Sequence, residues 1–202
     1  MSMTMEDIDR QIVENPLSYE ESKEQFVKLT EELGLKHSFN FDEAWETTLE
    51  LKRRKEYRKQ IQEFQDKCLG SGAMEKNEKT DAMNPLKHSF ADGMYIREII
   101  NPAGQILITK IHKQKHPFFL LSGKMSILTE DGVQHIEGPH YGITDPGTKR
   151  VIYSHTLCKF VTVQKTDITD VEEIENTLVC DSFNDASILA EDIELLLNWG
   201  NK

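Results

Sequence analysis

Cysteine is scarce in this chain, and the three present, Cys68, Cys158 and Cys180, lie far apart. An odd number at wide spacing matches no zinc or redox pattern and does not suggest a disulfide framework, so a reducing, cytoplasmic setting is expected. Long apolar runs are missing too, and nothing approaches the roughly 20 residues that cross a bilayer. The opening residues, MSMTMEDIDRQIVENP, lack a basic start followed by an apolar stretch, so no signal peptide is expected. Basic charge is in deficit: 24 Lys and Arg face 35 Asp and Glu, a formal net charge of −11. Such a chain has no electrostatic footprint for a phosphate backbone, and nucleic acid is not an expected partner. Hydrophobic residues make up 38% and charged residues 29% of 202, so part of the chain should be solvated helix or linker rather than core.

What is present divides into four stretches. Residues 1–68 read as a helical region. SYEE at 18–21 is a capping box, and Phe26, Leu29 and Leu33 follow at helical spacing, with Gly34 as a stop. A second helix starts near NFDEAW, where Asn40 or Asp42 can cap it. Its apolar seam runs through Trp45, Leu49, Tyr57, Ile61, Phe64 and Cys68. That seam must meet either the rest of the chain or a partner. Within it KRRKEYRK, 52–59, carries six basic residues to one acidic, read first as the solvated face of the helix. Residues 69–85 are a linker with almost no large apolar side chain. Residues 166–202 are an acidic segment ending in a helix expected near Ala186–Trp199.

Between these, residues 86–165 are rich in Val, Ile, Phe and Tyr and broken by turn signals every six to ten residues. Eight strands are expected: Tyr95–Ile100, Ile106–His112, Phe118–Ser122, Met125–Thr129, Val133–Ile136, Tyr141–Thr144, Arg150–Ser154 and Lys159–Gln164. The joints NPAG, SGK, EDG, EGP and DPGTK all have turn chemistry. Many short strands at regular spacing point to an all-β sandwich or barrel.

This β part resembles the cupin superfamily over about residues 93–165. In KIHKQKHPFFLLSGK, Gly123 stands where the closing glycine of the first cupin motif stands. Counting back, His116 falls at the usual glutamate, His112 at the second histidine and Lys110 at the first. In DPGTKR, Gly147 and Arg150 fall at the glycine and histidine of the second motif, with the proline moved by one to Pro146. The wider run also resembles small cupin-like proteins of bacteriophage genomes. The resemblance implies a mainly β, double-stranded β-helix (jelly roll) with an N-terminal helical extension and a short C-terminal helix. By analogy it also implies a homo-oligomer.

Strand alternation would put Ile106, Ile108, Lys110 and His112 on one face. In the cupin register Lys110, His112, His116 and Arg150 would share a strongly cationic barrel mouth. Such a pocket suits a small anion, with Arg150 and Lys110 as ligand-binding residues and His112 and His116 as acid/base candidates. Tyr153 and His155 would join the ligand-binding set if the strand slipped by one residue. A divalent metal on His112 and His116 stays open as an alternative. The site is short of carboxylates, however, and a protonated lysine is a poor ligand.

Two functions follow. One is a cupin-domain protein that binds a small anionic ligand, with non-oxidative acid/base chemistry as its catalytic version. The other is a phage accessory or virion protein, using the barrel as scaffold and the N-terminal helices for assembly with a protein partner. For a phage-encoded chain the setting would be the host cytoplasm or the virion.

Overall fold

A computed structural model describes residues 18–32, 40–72 and 82–190. The described residues up to Glu50 belong to one compact unit and those from Leu51 onward to a second. The sequence places the boundary near 68 instead. The difference lies in the second helix, whose later half folds with the barrel.

In the first unit, α1 (Tyr19–Glu32) opens on the expected capping box: the Ser18 backbone N–H donates to Glu21 Oε2 at 2.9 Å, and the Glu21 N–H returns to Ser18 Oγ at 3.3 Å. Helix α2 (Phe41–Gly70) starts at Asn40, whose Oδ1 accepts from the Asp42 N–H at 3.1 Å. Tyr19, Phe26, Phe41 and Trp45 form an aromatic cluster with ring centroids 5.3–5.9 Å apart. Gly34 and Leu33 lie outside the described residues.

Among the described residues the second unit contains eleven strands: β1 (Leu86–Ala91), β2 (Met94–Asn101), β3 (Ile106–Ile108), β4 (Ile111–His112), β5 (His116–Ser122), β6 (Lys124–Thr129), β7 (Gly132–Glu137), β8 (His140–Thr144), β9 (Val151–Ser154), β10 (Cys158–Lys165) and β11 (Val179–Cys180). One antiparallel sheet runs β1-β2-β10-β5-β8, another β3-β9-β6-β7, and β11 pairs with β4. From β2 to β10 the main strands alternate between the two large sheets, except at the β6–β7 hairpin. This order is that of a jelly roll. Phe118, Leu120, Met125, Ile127, Ile152 and Phe160 fill its interior, each burial of this kind contributing about 1.5–3 kcal/mol. Cys158 lies in the same core, as a small apolar residue would.

Two features depart from expectation. Strand β1 is an additional edge strand, joined to β2 by a two-residue turn in which Asp92 and Gly93 both have positive φ, 39° and 77°. Aspartate followed by glycine is the sequence signal for such a hairpin, and it stands in FADGMY. The expected strand Ile106–His112 is also broken. At the break Thr109 still stands opposite Arg150 in the β3–β9 register and bonds it twice: its N–H donates to the Arg150 carbonyl at 3.0 Å, and its hydroxyl, in place of its carbonyl, accepts from the Arg150 N–H at 3.0 Å. The inward phase is the reverse of the expected one: Ile106 is exposed opposite Tyr153 and Lys110 is exposed, whereas Leu107 packs on the core and Ile111, four residues on, is buried.

The acidic segment after the barrel is also structured. Asp170 caps α3 (Val171–Leu178), accepting from the Glu173 N–H at 2.9 Å. Ile174 and Leu178 of α3 are buried with Tyr95, and β11 then pairs Val179 with His112. Residues 186–190 are helical, and the remainder of the expected terminal helix lies outside the described residues.

The later half of α2 is fastened to the barrel. Tyr57 donates its hydroxyl toward the carbonyls of Lys149 (2.7 Å) and Leu128 (3.0 Å), and Ile61 is buried. Arg53 pairs with Asp131 at 2.8 Å and Arg54 with Glu130 at 3.8 Å. The basic cluster is thus partly used inside the molecule, against the acidic β6–β7 turn, rather than left as a solvated face.

Candidate functional site

His112 ends β4 and His116 begins β5, so the short turn between them folds the two rings together, with centroids 4.6 Å apart. His116 is buried. Its Nδ1 lies 2.9 Å from the Gln114 carbonyl. A carbonyl can only accept, so Nδ1 carries the hydrogen and Nε2 presents a lone pair. That Nε2 is buried and has no hydrogen-bond partner, and neither has His112 Nδ1. Burial, then the neighbouring His116, Arg150 and Arg97, push the His112 pKa down to about 3. Burial also lowers that of His116, with Arg150 adding to it and the Gln114 bond opposing it. Both rings are therefore neutral near pH 7.

His112 opens on a cavity of about 270 Å³ inside the barrel. Tyr95, Ile99, Leu107, Ile152 and Phe160 supply much of its apolar wall, while α3 contributes Ile174 and Leu178. Its polar lining includes Arg97, Thr162, Gln164 and Glu175. Arg97 Nε is buried with no hydrogen-bond partner. Lys110 also lines this cavity, but its exposed amine sits 3.8 Å from both Glu175 and Asp181, so much of its charge is matched locally.

Arg150 does not line this cavity. It is 8% exposed, lies over the Phe118 ring at 4.9 Å and donates from Nη1 to Thr144 Oγ1 at 2.9 Å. It faces a separate cavity of about 220 Å³, which Tyr57 also lines. The single cationic mouth expected from the motif spacing is thus two environments, with Lys110 and His112 in one and Arg150 in the other.

Tyr153 and His155 are exposed on the outer face of the four-stranded sheet. His155 Nε2 there lies 2.6 Å from Ser126 Oγ. Strand β9 is unslipped: Ile152 pairs with Leu107 and is buried with Ser154, so the alternate residues point outward, away from both cavities. The two do not belong to the site. Sequence reasoning missed Arg97, Gln164 and Glu175. For Arg97 a signal existed: YIREIIN alternates Tyr95, Arg97, Ile99 and Asn101 onto one face, an arginine among inward residues.

The donor set does not fit a resident divalent metal. His112 and His116 are two ligands where three or four are needed, Arg97 and Arg150 place positive charge beside them, and the described residues contain no group of three or more His, Cys, Asp or Glu arranged to hold an ion.

No protein family model matches the chain, and no curated protein matches it in sequence. Solved structures that resemble it include cupin-domain proteins. A cupin 2 domain-containing protein from Halorhodospira halophila is 13% identical, covering 60% of this chain and 81% of that one, with a TM-score of 0.41. Ectoine synthase from P. lautus is 12% identical, covering 56% and 94%, with a TM-score of 0.40. The cupin_2 domain of an XRE family transcriptional regulator from Enterobacter cloacae is 12% identical, covering 40% and 94%, with a TM-score of 0.36. The jelly-roll assignment rests on the strand order itself.

Proposed function

We propose that the protein binds a small molecule inside the barrel, one with an apolar body and a single acidic group. The observation that carries this reading is Arg97: a guanidinium whose Nε is buried without a partner, in the wall of an otherwise largely apolar cavity. A buried donor left unmade is costly, and an oxyanion accepting from it would remove that cost. His112 is neutral beside it and can donate or accept one hydrogen bond. A pKa near 3 makes it a poor general base at neutral pH, so the site supports binding more than acid/base catalysis. The assembly reading has less surface to draw on, because Tyr57 and Ile61 of the helix seam are taken up by the barrel unit.

Thermal unfolding with benzoate and hexanoate, each an apolar body bearing one carboxylate, tests the reading. At least one should raise the Tm of the native chain and leave that of Arg97→Gln unmoved. Equal responses in the two proteins would remove Arg97 from the site, and no response in either would count against the ligand class.

A further inference from the structure

We propose that the cavity beneath Tyr57 is a second, separate binding site, in which Arg150 takes a carboxylate through N–H donors that the protein itself does not use. Arg150 is more than nine-tenths buried, yet of its five donors one bonds the neutral Thr144 hydroxyl and Nε has no partner at all. Among the described residues no carboxylate lies within ion-pair distance of it. Its support is the Phe118 ring, which holds the cation by its face without accepting a directed bond. Gly142 makes room for that arrangement: a Cβ there would meet the ring at 2.6 Å.

The acids around the same cavity are already matched. Glu130 pairs with Arg54, Asp131 with Arg53, and Asp145 with Lys115. Among the described residues, Arg150 and Lys149 are the buried charges in this wall without a counter-charge in direct contact; the Lys149 amine reaches Gln62 Oε1 at 3.5 Å and the Phe183 ring, which leaves the Arg150 fork as the planar donor. The wall opposite is Tyr57, whose hydroxyl bonds to the Lys149 and Leu128 carbonyls tie the helix over the barrel. An anion here would sit between helix and barrel, whereas the Arg97 site lies within the barrel. A planar, singly charged carboxylate fits this fork, because its two oxygens can accept side by side from the guanidinium N–H groups.

Amide and arginine side-chain NMR of the full chain, titrated with acetate at constant ionic strength, tests this. Saturable shifts are expected at the amides of Gly147, Thr148 and Arg150. They should be lost in Arg150→Met and retained in Arg97→Gln, and inorganic phosphate at the same concentration should produce smaller ones. Absent shifts in the native chain, or shifts that persist in Arg150→Met, would overturn the site. Phosphate binding as well as acetate would overturn the carboxylate assignment. If Arg150→Met does not fold, the Nε–H resonance of Arg150 in the native chain decides: a saturable move with acetate supports the proposal, and an unmoved resonance refutes it. Loss of benzoate or hexanoate binding in Arg97→Gln belongs to the barrel site, so the two readings can fail independently.

Discussion

His112 and His116 stand with ring centroids 4.6 Å apart, and each keeps one buried ring nitrogen without a hydrogen-bond partner. Both are held neutral, chiefly by burial, with nearby positive charge adding to it. This pair gives the folded state a built-in sensitivity to acid.

An unfolded histidine titrates near 6.5, while folded His112 titrates near 3. Between those values the unfolded chain binds a proton that the folded chain refuses. Stability therefore falls as pH falls, by up to about 1.4 kcal/mol per pH unit for each such histidine. Urea denaturation at several pH values from 6.5 to 4.5 should show a shallower decline in His112→Gln than in the native chain. Identical slopes would mean that His112 is protonated without cost when folded.

Tyr57→Phe removes the hydroxyl that reaches the Lys149 carbonyl at 2.7 Å. The loss should cost about 1–2 kcal/mol, the usual range for a partly buried hydrogen bond whose acceptor is left behind. Arg53→Ala breaks an exposed ion pair with Asp131, whose loss should cost under about 1 kcal/mol. Comparing the two midpoints in urea checks whether the helix is held by the tyrosine or by charge, and a larger loss from Arg53→Ala would reverse the argument.

Gly123→Ala should be severely destabilising. Gly123 has a φ of 98°, and a Cβ there would lie 2.5 Å from the Leu157 carbonyl oxygen. Both the backbone conformation and the space are closed to alanine, and a loss of more than about 3 kcal/mol is expected. A soluble variant whose Tm is within a few degrees of the native value would contradict this geometry.

Chelation should leave the fold untouched. Two imidazoles beside two arginines do not make a three- or four-ligand site. Incubation with excess EDTA is expected to leave the Tm unchanged, and elemental analysis of the native chain should find zinc, iron, nickel and manganese well below one per chain. A stoichiometric metal lost from His112→Gln would overturn this.

Much of the barrel is legible in the sequence because its signals are local. Turn residues such as those of SGK and EDG, between β-branched and aromatic runs, place all eight expected strands within two residues of observed ones, although one is broken in the middle. The Gly123 correspondence is legible for the same reason, since only glycine fits that turn. Strand β1 was within reach through its Asp92–Gly93 turn. Helix α3 was obscured because its apolar positions, Ile174 and Leu178, are few among acidic neighbours, and its role comes from packing on Tyr95, far away in the chain.

The site divides along the same line. By itself the sequence determined which chemistry-bearing residues lie near one another along the chain, and so the pairing of His112 with His116 across a short turn. Tertiary structure alone decided that Arg150 faces a different cavity from Lys110, that Arg97 enters from β2, and that Tyr153 and His155 stay outside. The physical reason is that a strand's inward face depends on its phase. Between Ile106 and His112 the alternation admits either phase, and only packing decided that Leu107 and Ile111 turn inward while Ile106 and Lys110 are exposed.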